Sequence, residues 1–139
     1  MRYLNTDLDL RSRDDLKAIA AAFESRRVSP LHVTRGEDEL WCATFETDES
    51  FDEPNSNIAA ILDAVESLLR EHEATWAQCD SKEFNIGYDC GGEPRAFDQG
   101  LSNDVLRRMA AAGASIRWTL YPDHPEVAEP SHENRIGQC

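Results

Sequence analysis

The side chains best placed to do chemistry in this chain are carboxylates, and they gather in two places. Glu46, Asp48, Glu49, Asp52 and Glu53 crowd the segment ETDESFDE, while Asp7 and Asp9 alternate along the opening NTDLDL. Crowded carboxylates have three uses. One of them can have its pKa raised for acid–base work, a group can hold a hard cation such as Mg²⁺ or Ca²⁺, or their field can receive a basic partner. Softer chemistry has less to work with. His32, His72, His124 and His132 are scattered, and Cys42, Cys79, Cys90 and Cys139 show no short paired spacing. Cys79 and Cys90 can meet around the strand between them, yet that loop is too long for a zinc knuckle. The chain holds no G-x-S-x-G, no nucleotide fingerprint and no EF-hand loop. Gly91 and Gly92 run into Glu93 and Pro94 rather than a helix start, so they read as a turn and not as a phosphate cradle. No catalytic residue, metal site or cofactor is assigned.

The elements that must position these carboxylates follow from hydrophobic period. Residues 3 to 11 alternate, with Leu4, Thr6, Leu8 and Leu10 on one side and Tyr3, Asn5, Asp7, Asp9 and Arg11 on the other, which predicts a half-buried strand. Ser12 with Asp15 gives a start of capping-box type, and Leu16, Ile19, Ala20 and Phe23 then fall on one helical face. Residues 29–34 and 40–47 read as a hairpin around Arg35-Gly36-Glu37-Asp38. A long helix follows the acidic segment, entered at Pro54 and striped by Ile58, Ile61, Leu62, Val65, Leu68, Leu69, His72 and Trp76. Residues 82–88 alternate again through Phe84, Ile86 and Tyr88. Ser102 caps a short helix with Leu101 and Leu106 as a hydrophobic staple, and Gly113 ends it. The last strand, 114–121, turns Ile116, Trp118 and Leu120 inward and Arg117 and Thr119 outward.

The order is therefore β-α-β-β-α-β-α-β. Its first six elements match the split βαβ, ferredoxin-like arrangement, in which the first strand is central. The expectation is an α+β two-layer sandwich, with helices on one face of a mainly antiparallel sheet and an added edge strand. It occupies residues 1–122 as a single domain. Residues 123–139 carry two prolines and no periodicity, and read as a polar, flexible tail.

Charge narrows the function classes. The chain has 139 residues and a net charge of −13. Residues 1 to 35 hold seven bases against five acids, a sum of +2, so everything after them carries −15. No Lys or Arg lies between Arg35 and Arg70. Such a balance argues against nucleic acid, whose phosphates require Lys or Arg, and against anionic membranes. The N-terminus lacks the apolar run of an export signal, and no stretch approaches the roughly 20 apolar residues of a membrane helix. A cytoplasmic chain with reduced thiols is expected.

Two surfaces are the candidates. The first is the acidic segment Glu46, Asp48, Glu49, Asp52 and Glu53, flanked by Trp41 and Phe45. These two aromatics share a strand face. If it faces the helices they are core; if it faces out they are anchors inside a negative rim. The second is the open sheet face, which collects Asn5, Asp7 and Asp9 with Glu83 and Asn85, and with Arg117 and Thr119. If the first and fourth strands are neighbours, Asp7 or Asp9 lies beside Glu83 or Asn85 at cross-strand distance. A small ligand or a reaction would use Asp7, Asp9, Asn85 and Arg117 there. A homodimer through that face or through an exposed sheet edge is a third reading.

The segments YLNTDLDLRSRDDL, EFNIGYDCG and LSNDVLRRMAAAGASIRWTLYP together resemble a group of small bacterial single-domain proteins over most of residues 2–122. In size and charge the chain is also similar to the immunity proteins of polymorphic and contact-dependent toxin systems, which are small, acidic α+β domains. That resemblance implies a stoichiometric, non-enzymatic inhibitor with no cofactor. Its partner would be a toxin domain, such as a basic nuclease.

Overall fold

A computed structural model of the chain describes residues 1–92 and 96–122. The elements run β1 (Arg2–Ser12), α1 (Lys17–Glu24), β2 (Val28–Arg35), β3 (Trp41–Thr47), α2 (Pro54–Gln78), β4 (Ser81–Cys90), α3 (Asn103–Ala111) and β5 (Ser115–Pro122). The strands form one five-stranded sheet in the order β2-β3-β1-β4-β5. β1 pairs antiparallel with both β3 and β4, and β2 with β3; only β4 and β5 run parallel. This is the expected split βαβ core with β1 at its centre. The α3 crossover adds β5 beside β4, parallel to it because a helix rather than a hairpin joins the two.

Side chains alternate across the sheet, and the helices cover one side of it. Leu8, Leu10, Phe45, Phe84 and Ile86 pack there against Leu16, Ile19 and Phe23 at α1 and Ile58, Ile61, Leu62, Val65 and Leu68 on α2. The stripe read along α2 is this buried face. It is interrupted near its end, where His72 leaves helical geometry (φ −122°, ψ 23°) and kinks the helix. Trp76 still reaches the core beyond the kink, because its Nε1 donates to the Ala112 carbonyl at 2.9 Å. Gly113, at φ +76°, ends α3 in the left-handed region where a side chain would be strained.

Three local expectations are corrected. The alternation of β1 breaks at a register shift between Tyr3 and Asn5. It turns Tyr3 into the core and Leu4 out, so those two residues exchange the faces that strict period two gives them. Ser12 is not a helix cap. It is the last residue of β1, its Oγ accepts from the Asp14 N–H at 3.1 Å, and α1 begins later at Lys17 with no side-chain cap. Trp118 and Leu120 do lie on the helix side of the sheet, in register with Ile86 and Tyr88. They are nonetheless 57% and 56% exposed, because β5 is the edge strand and the helical layer does not extend over that end of it. The segment read as a tail, 123–139, lies outside the described residues.

Candidate functional site

The acidic segment becomes the connection between β3 and α2, and its backbone is fastened at several points. The Asp48 N–H donates to the Arg27 carbonyl at 3.0 Å, and Asp48 Oδ1 accepts from Ser29 Oγ at 2.5 Å. Thr47 Oγ1 donates to the Glu49 carbonyl at 2.8 Å. Gln99 Nε2 donates to the Asp52 carbonyl at 3.4 Å while Tyr88 Oη donates to Gln99 Oε1 at 2.9 Å, which ties the far end of the loop to β4. Asn55 Oδ1 accepts from the Ser102 N–H at 2.8 Å, adding a brace from the start of α3.

Glu53 has a structural task. It is the N-cap of α2: its Oε1 accepts from the Ser56 N–H at 2.8 Å and its Oε2 from the Asn55 N–H at 2.9 Å, with Pro54 in the first turn. Partial burial pushes its carboxyl up, but the hydrogen bonds from Ser56 and Asn55 outweigh this and hold it below the usual carboxylate value of 4.5. The sequence signalled the helix entry through Pro54. It did not reveal the cap, because Glu is not among the preferred N-cap residues.

Behind the loop, a buried polar cluster joins three elements. Asn57 of α2 accepts at Oδ1 from Tyr3 Oη (2.7 Å) and from the Thr6 N–H (3.0 Å), and donates from Nδ2 to Thr47 Oγ1 at 3.0 Å. Tyr3 Oη and Thr6 Oγ1 lie 2.6 Å apart. Tyr3, Thr6 and Asn57 are all buried, and burial pushes the Tyr3 phenol well above its usual range. This cluster was not anticipated. It exists because the β1 irregularity turns Tyr3 inward, and nothing in YLNTD marks that irregularity.

The loop separates two shallow grooves. One, of about 590 Å³, lies between the start of β2 and α2, with Val28, Phe51 and Ala64 among its apolar walls and Asp48, Glu49 and Arg27 at its charged ones. The other, of about 340 Å³, lies toward β1 and takes in Leu4, Asn5, Glu46 and Asn57. Asp48, Glu49 and Asp52 are exposed, and Glu46 and Glu53 half-buried. Trp41 and Phe45 do not join this surface. They lie on the helix side of β3, where Phe45 is fully buried with its ring 4.6 Å from that of Phe23. Trp41 is partly buried beneath the Lys17 ammonium, which sits 5.3 Å from its ring.

The open sheet face assembles as the alternation requires. Asp7 is directly opposite Asn85, Asp9 opposite Glu83, and Asn85 beside Arg117. Its groups are absorbed in one another. Asn5 Nδ2 donates to Asp7 Oδ1 at 2.9 Å, and Thr44 Oγ1 to Asp9 Oδ1 at 2.7 Å. Arg117 Nε donates to Glu83 Oε1 at 2.7 Å, and Thr119 Oγ1 to Asn85 Oδ1 at 2.6 Å. The hydrogen bond and charge of Glu83, aided by Asp9, raise the Arg117 pKa, so its guanidinium stays charged. Neither groove beside the loop takes in Asp9, Glu83, Asn85 or Arg117.

Among the described residues no His, Cys, Asp and Glu side chains group to hold a metal ion, and no helix is long and apolar enough to cross a membrane. Cys79 and Cys90 do not meet. They are free thiols at opposite ends of β4, and an extended strand of that length holds them roughly 30 Å apart. The chain matches no protein-family model, no curated protein and no solved structure.

Proposed function

We propose that this chain is a non-enzymatic protein-binding module that receives a basic partner on the loop 46–53, as an immunity protein does when it neutralises a toxin domain. One observation carries the reading. Elsewhere in the stretch without Lys or Arg, every acid but Glu37 finds a cationic partner among the described residues. Asp38 pairs with Arg11, Glu39 with Arg35, and Asp63 and Glu66 together with Arg108. The five acids of the loop have no ion pair to Lys or Arg among the described residues. Hydrogen bonds nevertheless hold the loop in place.

That combination costs the free protein electrostatic repulsion, and its carboxylates return to the fold only the Glu53 cap and single hydrogen bonds from Ser29 to Asp48 and from Asn5 to Glu46. A surface that is hydrogen-bonded in place, negative and without ion pairs among the described residues suits a partner that brings cations. A loop held in place loses less entropy on docking, and the field accelerates encounter. Because Phe45 is core, affinity would come from the loop and its flanking grooves rather than from the two aromatics.

The test uses the product of the gene adjacent to this one as the partner. Its association rate with the full chain should fall steeply from low to physiological salt. The double variant Glu49→Lys/Asp52→Lys should slow association about tenfold or more at low salt. Glu53 is left untouched because it caps α2. A complex whose formation ignores both salt and the charge reversal refutes the acidic-loop reading.

A further inference from the structure

The two edges of the sheet are built differently. β2 carries Pro30, an irregular register between Pro30 and His32, and Arg35 at its end. These are the devices by which edge strands resist pairing with other chains. Along Ser115–Tyr121 β5 has no proline and no register shift, and its one charge, Arg117, is paired with Glu83. Its register against β4 is regular throughout, and its one proline, Pro122, stands at the end of the strand. Among the described residues no strand pairs with its outer side. Apolar surface concentrates there as well: Trp118 and Leu120 on the helix side, Tyr121 on the other, and Leu106, 49% exposed, on the helix that leads into the strand. Leu106 is therefore largely open to solvent despite its expected place in a hydrophobic staple.

We propose that β5 is a docking edge for a second copy of this chain, which pairs its own β5 antiparallel to the first and continues the sheet across a two-fold axis. Charge selects this occupant. With a net charge of −13, two copies repel through most of their surface. The segment 103–122 departs from that balance, because it holds Arg107, Arg108 and Arg117 against the single acid Asp104. Those charges are already occupied within the chain: Arg107 with Asp104, Arg108 with Asp63 and Glu66, and Arg117 with Glu83. Two copies can thus bring these edges together without setting unpaired acids against one another. The backbone N–H and C=O groups of one edge are the complement of the other, and a two-fold axis brings the same side chains into contact from both copies. The inference does not depend on the acidic loop, which belongs to a different part of the molecule.

Light scattering on the full-length chain over about a hundredfold range of concentration is the test. The expected result is a mass rising from one chain to two. Trp118→Lys and Leu120→Lys, both at exposed positions, should raise the dissociation constant about thirtyfold or more. Circular dichroism should show the fold of each variant unchanged. Added salt should tighten the dimer, because it screens the repulsion between acidic copies. Amide exchange along 115–121 should slow as concentration rises. A mass of one chain at every concentration overturns the proposal, as does a dimer indifferent to both variants or loosened by salt. Amides of β5 protected equally in dilute monomer would show that something other than a second copy already occupies the edge, and would overturn it too.

Discussion

Replacing Asn57 should expose how much of the fold depends on one carboxamide. Its Oδ1 accepts from the Thr6 N–H and from Tyr3 Oη, and its Nδ2 donates to Thr47 Oγ1. In Asn57→Ala two of these partners are partly compensated. Tyr3 Oη keeps Thr6 Oγ1 at 2.6 Å, and Thr47 Oγ1 keeps its bond to the Glu49 carbonyl at 2.8 Å. The Thr6 N–H is not compensated. Thr6 is fully buried, and the carboxamide is the partner the structure gives that amide. A buried donor left unsatisfied costs about 1–3 kcal/mol, and the small cavity adds to it, so a loss of about 2–4 kcal/mol is expected.

Asn57→Leu separates the two contributions. Leucine has the same branched skeleton and fills the space, but it offers Thr6 no acceptor. If polar satisfaction dominates, it should still destabilise by about 2 kcal/mol. Urea unfolding measures both variants. The midpoint should drop by about 1 M or more with an unchanged slope. A Leu variant as stable as the parent would refute the reasoning, since packing alone would then explain the site. The same substitution should loosen the acidic loop, because Thr47 begins it, and amide exchange at 47–52 should rise.

Other expectations concern single groups. Glu53→Ala should cost about 1 kcal/mol through loss of the α2 cap. Its folded pKa lies below the ordinary 4.5, so the contribution is complete at neutral pH and disappears as pH falls through the lower folded value; Glu53→Gln should flatten that acid limb of the stability curve. Burial first, with help from Asp80 and Asp14, pushes the Cys79 thiol up to about 11 despite the nearby Lys82. Iodoacetamide at pH 8 should therefore label Cys79 only when the protein unfolds, which mass spectrometry of the labelled peptide would read. Arg108→Ala should cost about 1 kcal/mol at low salt and clearly less at high salt, because Asp63 and Glu66 are largely exposed. A loss unaffected by salt would mean that the arginine acts through packing.

The strands and helices were legible because each buries one regular face, and period alone separates β4 from α2. The central place of β1 followed from the element order, since a split βαβ leaves it no other position, whereas the order of the edge strands did not. What stayed hidden depends on atoms rather than on period. The β1 irregularity moves Tyr3 inward without any Gly or Pro to announce it, and with it appears the Asn57 cluster. Trp118 and Leu120 carry the pattern of inward residues, and they do point that way. Whether anything stands in front of them depends on how far the helical layer reaches, which no local window contains. Among site residues, the carboxylates of the loop were identifiable by type and spacing. The distinction between Glu53, which caps a helix, and its neighbours required the coordinates of two backbone amides.

The partition of the acids makes a joint prediction about stability and association. If the charge served solubility alone, reversing two loop acids would change little beyond net charge. If the loop is held against its own repulsion for a partner, reversal should move two quantities in opposite directions. Glu49→Lys/Asp52→Lys removes like-charge crowding beside Asp48 and leaves the bonds of the loop backbone and the Glu53 cap in place. The free protein should become more stable by a few tenths of a kcal/mol or more at low salt, and the gain should shrink as salt rises. Association with the basic partner should weaken at the same time, the pattern of a site kept at some cost to the fold. Denaturation and association rates measured on one preparation, at two ionic strengths, decide it. Loss of both stability and binding would show instead that these carboxylates support the fold, and the assignment of the loop as a binding surface would fall with it.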